Sequence, residues 1–292
     1  MTTRWSASGA PPLRHLQRWL RSPKGLFTGI LLLLTIPAAT VSGWALVLPN
    51  LTIAIVVAAL LDLPLLRWRD GSWSLPDGAM LTGWLVGLIL SPHVPMATAA
   101  ATAAFGIVAK HLLRVKRANV LNPAAAALVA SYLLLDTGQS WWGALPDLPP
   151  AALALVAATG AFMAWRLHKL SLVLTMLGVH FLLATLSAFM GDPARVAELF
   201  RTPDVHMALF FAGFMATDPP TSPPRAGDQV RYGAIAAAVS FGLYLWIGAV
   251  YFLPGGLLAA NLWEGWRKWQ RTSRQRPPVP PRVEARLTAA PR

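Results

Sequence analysis

The 292 residues are 55% hydrophobic and only 13% charged, and long apolar runs recur throughout, which marks an integral membrane protein rather than a soluble core. The formal net charge of +13 does not point to nucleic acid, because the Lys and Arg sit in tails and between apolar runs, where they act as a topology signal. The chain has no Cys, so disulfides, thiolate zinc sites and cysteine-ligated iron–sulfur clusters within it are excluded, and thiols give no clue to compartment.

Residues 1–24 form a basic tail with Arg4, Arg14, Arg18, Arg21 and Lys24. The run that follows, Gly25 to Leu48, is long for a signal-peptide core and has no small-residue cleavage site, so it reads as a retained first span. About ten hydrophobic spans are expected in all, several of them short, at 25–48, 51–66, 78–92, 95–110, 122–135, 149–165, 170–190, 205–217, 232–251 and 253–264. Together they make one membrane domain over 25–264, with halves at about 25–135 and 149–264. A basic, Pro- and Arg-rich tail at 265–292 reads as disordered and close to anionic lipid. With the N-terminus in the cytoplasm and spans alternating, all of the 25 Lys and Arg except Arg195 and Arg201 fall on the cytoplasmic side. That asymmetry predicts a multi-pass protein with both termini cytoplasmic. The external loop at 136–148 carries Trp141 and Trp142, which suit an interfacial aromatic belt.

Three segments carry candidate chemistry. Met215 to Pro224, MATDPPTSPP, ends a hydrophobic run in a proline-dense stop that gathers Thr217, Asp218, Thr221 and Ser222. It reads either as a capping turn or as a polar ligand site at membrane depth. In Lys110 to Pro123, Lys110, His111 and Arg114 close one span, and Asn122 with Pro123 opens the next as cap and first helical residue. The cations fit a positive-inside loop, and the helix start beside them fits an anion such as phosphate or a reduced flavin. In Leu75 to Gly83, Asp77 is placed to cap a helix start, and Gly78, Gly83 and Gly87 suit close packing. Two ionisable residues lie within spans. Asp62 is expected to snorkel or pair with Arg67, and His180 reads as a packing residue before it reads as a ligand or proton relay. Walker A, dinucleotide, nucleophile-elbow and HExxH patterns are absent from the sequence, no catalytic residue or metal site is assigned, and b-haem is disfavoured.

PDGAMLTGWLVGLILSP (76–92), GIVAKHLLRVKRANVLNPAA (106–125) and FFAGFMATDPPTSPPRAGDQVRYGA (210–234) resemble the NqrB/RnfD family, the membrane subunits of the sodium-pumping NADH:quinone reductase and the Rnf electron-transport complex. The resemblance implies an all-α fold of ten transmembrane helices, built as a five-plus-five inverted repeat like urea and ammonium transporters. It implies a relay or non-catalytic subunit of an ion-translocating oxidoreductase complex of the bacterial inner membrane, passing electrons through flavin with other electron-transport subunits or flavoproteins. Lys110, His111, Arg114, Asn122, Pro123, Thr217, Asp218, Thr221 and Ser222 are the positions it places near a flavin or a partner. Relatives with covalent FMN present a Ser/Thr-Gly-Ala-Thr acceptor in an external loop. The corresponding stretch here, DTGQSWWGALPDLPP, holds Thr137 but no such tetrapeptide. The expected cofactor is therefore FMN or riboflavin bound without a covalent link. The competing expectations are a small-solute channel on the same fold and a cofactor-free scaffold subunit.

Overall fold

The structure, a computed structural model, describes residues 17–274 apart from 18, 116, 117 and 192. Helix α1 (Pro23–Ser42) starts at Ser22, whose hydroxyl accepts the Gly25 N–H at 3.2 Å, with Pro23 in the first helical position. It stops at Gly43, with φ at 91°, and α2 (Trp44–Asp70) follows at once. The break had been expected near Pro49. The structure instead keeps Pro37, Pro49 and Pro64 inside helices. An apolar membrane helix absorbs the hydrogen bond that a proline removes, whereas the reversal needs a positive φ that only glycine takes cheaply.

The chain continues as α3 (Asp77–Ile89), α4 (Met96–Leu112), a two-stranded hairpin of β1 (Arg114–Val115) and β2 (Ala118–Asn119), and α5 (Pro123–Leu135). A 3-10 turn at Trp142–Ala144 leads to α6 (Ala151–Arg166), α7 (Leu170–Ala188) and the short α8 (Pro193–Glu198). Helix α9 (Asp204–Phe210) runs on as a π turn, Phe211–Met215; α10 (Ala226–Gly242) runs on as a second, Leu243–Ile247; α11 (Phe252–Arg274) is last. Each apolar run read from the sequence is thus helical, and the fold is an all-α membrane type. Helices α1, α2, α7 and α10 with its π turn are long and apolar enough to cross a membrane. Helices α3 to α6 and α9 with its π turn are shorter apolar segments. Helix α11 continues past the apolar run 253–264 to Arg274. Residues 275–292 of the expected disordered tail, and most of 1–24, lie outside the described residues.

Packing sets α2 against α3 and α4, α5 against α4 and α3, and α10 against α7 and α11, with α5 joined to α11. Two of the α3 glycines, Gly83 and Gly87, are packing residues, whereas Gly78 is not closely approached. A Cβ on Gly83 would come within 2.8 Å of the Ile55 Cα on α2, so only glycine permits that approach. A row of rings crosses the core: Trp141 meets Phe210 and Phe211 at 6.4 and 6.2 Å, Phe210 meets Phe214 at 5.0 Å, and Phe214 stacks on Phe27 of α1 at 5.8 Å. Trp141 and Trp142 are each only 4% exposed, and the Trp142 indole donates to the Gly87 carbonyl at 2.8 Å. The expectation that they form an interfacial belt is corrected. The loop folds inward because the indole N–H finds a carbonyl at the end of α3, which outweighs a place at the surface.

No atom lies within 4 Å of a Cβ built on Gly43. Gly43→Ala therefore tests backbone conformation without a clash, and thermal unfolding in detergent should show a loss of about 1 kcal/mol.

Candidate functional site

Two of the signature segments meet through buried amides. Asn122 caps α5, its Oδ1 accepting the Ala125 N–H at 3.0 Å, and Pro123 follows as the first helical residue. Its Nδ2 donates to the Met215 carbonyl at 3.2 Å, at the end of the π turn after α9. Its backbone N–H donates to Asn261 Oδ1 of α11 at 2.7 Å, and Asn261 donates in turn to the Tyr232 hydroxyl of α10. Tyr232 and Asn261 are fully buried, and Asn122 nearly so. One polar knot thereby ties α5, α9, α10 and α11.

The proline turn closes beside this knot. Thr217 Oγ1 donates to the Gly213 carbonyl at 2.8 Å. The Asp218 carbonyl accepts the backbone N–H groups of Thr221 and Ser222 at 3.2 and 3.0 Å and the Ser222 hydroxyl at 2.8 Å. The Thr221 hydroxyl donates to Asp218 Oδ2 at 2.8 Å and neighbours Tyr232. The capping-turn reading thus describes the local geometry of all four predicted residues. The turn's outward carbonyls are taken by side chains the sequence reading had not singled out. Lys169 donates to Pro223 O at 2.5 Å and Ser222 O at 3.4 Å, Lys268 to Pro220 O at 2.9 Å, and Gln229 to Pro224 O at 3.2 Å. Such carbonyls need outside donors, because the four prolines of this turn supply no N–H.

Lys110 and His111 belong to a separate group. Asp62 on α2 accepts from Lys110 Nζ at 2.9 and 2.8 Å and lies 2.6 Å from His111 Nε2, its side chain only 1% exposed. The expected pairing with Arg67 is corrected. Arg67 reaches the Gly71 carbonyl and lies 5.9 Å above the Trp73 ring, while Asp62 points to α4. Asp77 does not cap α3; Pro76 holds that place. Its Oδ1 accepts from Lys24 at 2.6 Å and from the Gly78 N–H at 2.7 Å. A Cβ on Gly78 would lie 3.9 Å from Lys110 Nζ, so the two carboxylate groups adjoin. Arg114 sits in β1 opposite Asn119. His180 is 2% exposed between Phe181, Phe241 and Phe252, stacked on the last at 6.2 Å, and its Nδ1 has no hydrogen-bond partner among the described residues. Among the described residues no group of three or more His, Cys, Asp or Glu is placed to hold a metal.

Charge at the turn is finely poised. Burial pushes the Lys169 ammonium down to about 8, with Lys268 adding repulsion. Burial also raises the Asp218 carboxyl, opposed by the Thr221 hydroxyl and by Lys268, Lys169 and Lys24.

A flavin does not fit among these residues as they stand. Asn122, Thr217, Thr221 and Ser222 are 1–3% exposed, and their polar atoms bond to the chain itself. Lys110 and His111 are engaged by Asp62. An isoalloxazine would find neither a bare face nor an unengaged donor set here.

Asn261 and Tyr232 were legible in principle, since an asparagine within an apolar run is costly and needs a partner. Lys169 carries less signal, because a lysine in a short loop already satisfies the topology rule.

Comparison with protein families finds that residues 20–149 match the model described as the NQR2, RnfD, RnfE family. The match takes in Asp62, Asp77, Lys110, His111 and Asn122 and stops short of the proline turn. No curated protein matches the chain.

Asp62→Ala removes the buried carboxylate that holds the part-buried Lys110 and should cost about 3–5 kcal/mol of stability, part of which Asp62→Ala/Lys110→Met recovers; a double-mutant cycle in detergent measures the coupling. Lys169 binds a proton more weakly folded than unfolded, where its ordinary value is 10.5. Between pH of about 8 and about 10.5 the unfolded chain therefore holds more protons, and stability should rise with pH across that window. Lys169→Met should reduce the rise, as followed by thermal unfolding against pH.

Proposed function

We propose that this chain, which over residues 20–149 is of NqrB/RnfD type, is the membrane subunit of an Rnf/Nqr-type electron-transport system and works with flavoprotein partners. The observation that carries the reading is the Asn122 amide. It joins the family-matched segment to the proline turn outside the match, so both signature segments serve one structural junction. The finer fold reading is ten spans in a five-plus-five inverted repeat, in the bacterial inner membrane with both termini in the cytoplasm. It is supported by α3 and α9, two short apolar helices that each begin at a Pro-Asp pair, Pro76-Asp77 and Pro203-Asp204.

The saturated hydrogen bonds around Asn122 and Asp218 favour placing the flavins on partner proteins that dock at this face. Thr137, the threonine nearest in position to a covalent acceptor, is 2% exposed and lies 2.9 Å from the Ser131 hydroxyl, which supports a chain without covalent FMN. The half-buried Asp218 and the lysines around it would meet the partner; the buried knot would hold the helix ends in register beneath it.

Absorption spectra of the solubilised chain alone and of the complex isolated with its partners test this. Flavin absorbance is expected with the complex and absent from the isolated, folded chain. Stoichiometric flavin released from the isolated chain by acid would overturn the assignment to partners and place a non-covalent FMN or riboflavin on this subunit. In that event Asn122→Ala or Asp218→Ala should lower flavin content more than protein yield.

A further inference from the structure

Two side chains join the loop between α6 and α7 to the proline turn. Lys169 Nζ donates to Pro223 O at 2.5 Å and to Ser222 O at 3.4 Å. Gln229, near the start of α10, donates from Nε2 to both sides, to His168 O of the loop at 2.9 Å and to Pro224 O of the turn at 3.2 Å. Pro219, Pro220, Pro223 and Pro224 have no N–H, and the Asp218 carbonyl takes the N–H groups of Thr221 and Ser222. The contact between loop and turn is therefore made by side chains. The loop is also strained, because His168 takes a φ of 56°, in the left-handed region, without being glycine.

Lys169 is only 5% exposed, yet His168 and Leu170 on either side of it are exposed, as are Pro224 and Arg225 across the contact. A change of rotamer with a small backbone shift would carry its ammonium from the carbonyls to water. The charged groups facing that ammonium are Lys268 and Glu264 of α11 and Asp218 of the turn. Glu264 is tied to Arg267, and Asp228 of α10 to Arg267 and Arg271. Arg166 and His168, beside it in sequence, are exposed. Burial outweighs these neighbours and lowers the Lys169 ammonium to about 8 from an ordinary 10.5. A side chain that swings into water regains the ordinary value, so the open position binds the proton more tightly than the closed one. Raising the pH across that interval favours the closed position. The neutral amine keeps two N–H donors, which match the two carbonyls it meets.

We propose that Lys169 makes the contact between this loop and the proline turn a pH-sensitive clasp, open with the side chain charged in water and shut with it neutral against Ser222 O and Pro223 O. On the acid side of the interval both positions carry the proton and the clasp is at its loosest. Opening frees the carbonyls of the turn and releases the strained loop together, because Lys169 and Gln229 hold both. The clasp belongs to this chain alone and rests on no assignment of flavin or partner.

Hydrogen–deuterium exchange of the full-length protein in detergent, followed against pH and corrected for intrinsic exchange, tests it. Protection of the Thr221 and Ser222 amides should be level up to pH of about 8 and then rise about tenfold per pH unit. It should stay below the protection of the Tyr232 amide within α10 at every pH, because the opening is local. This series on the unaltered chain needs no variant to fold. Lys169→Arg, charged throughout, and Lys169→Met, never charged, should each lose most of the rise, whereas Lys268→Met should keep most of it. Protection indifferent to pH, turn amides no less protected than Tyr232, or a rise that survives Lys169→Arg would overturn the proposal.

Discussion

The structure turns on a requirement of hydrocarbon surroundings: a helix that stops within the protein must have its unpaired backbone groups met by something other than water. Helix α9 stops at such a place. Its π turn ends in a run of prolines that can donate nothing, so acceptors outnumber donors locally. The deficit is met from other helices, by the Asn122 amide at Met215 and by Lys169, Lys268 and Gln229 along the turn. The same bonds fix where α5, α10 and α11 sit, because each supplies a side chain that reaches only from one position. Architecture and hydrogen-bond supply are one problem here.

This also explains why the face carries two charge systems rather than one. Asp62 ion-pairs with Lys110 and hydrogen-bonds His111 within the α2–α4 contact, among small residues that let the helices approach closely. Asp77 engages Lys24 next to it. The proline turn has Asp218 with Lys169 and Lys268 around it, and the buried Glu264 faces the same two lysines. The first system is closed on itself and structural. The second bonds its lysines to backbone carbonyls of the turn, Lys169 from a buried position.

Much of this was legible in the sequence, and the rest was hidden for identifiable reasons. The apolar runs gave the helices, because membrane-length hydrophobicity is a local property. The Asn-Pro cap of α5 and the proline stop after α9 were legible because capping and φ restriction are set within a few residues. Partners distant in sequence were not. Asp62 was expected to find Arg67, a nearby residue on the same helix, but found α4 across a close contact. Trp141 and Trp142 looked interfacial by composition, yet the loop carries them inward to the end of α3. The break at Gly43 was misplaced to Pro49 because proline is a stronger breaker in water than in a membrane helix. Asn261 was a signal by itself, an amide within an apolar run, but its partner Tyr232 lies on another helix and could not be read from spacing.

Lys169 and Lys268 bear on how such a chain is made. In the proposed orientation both count among the positive charges that keep their segments on the cytoplasmic side during insertion, a stage at which only charge and hydropathy act. Once the helices have packed, the same two ammonium groups plug the carbonyls of the proline turn. A single pair of side chains thus serves first as a biosynthetic address and afterwards as a latch. Replacing either with a neutral residue would disturb two events separated in time, the choice of side and the closing of the turn.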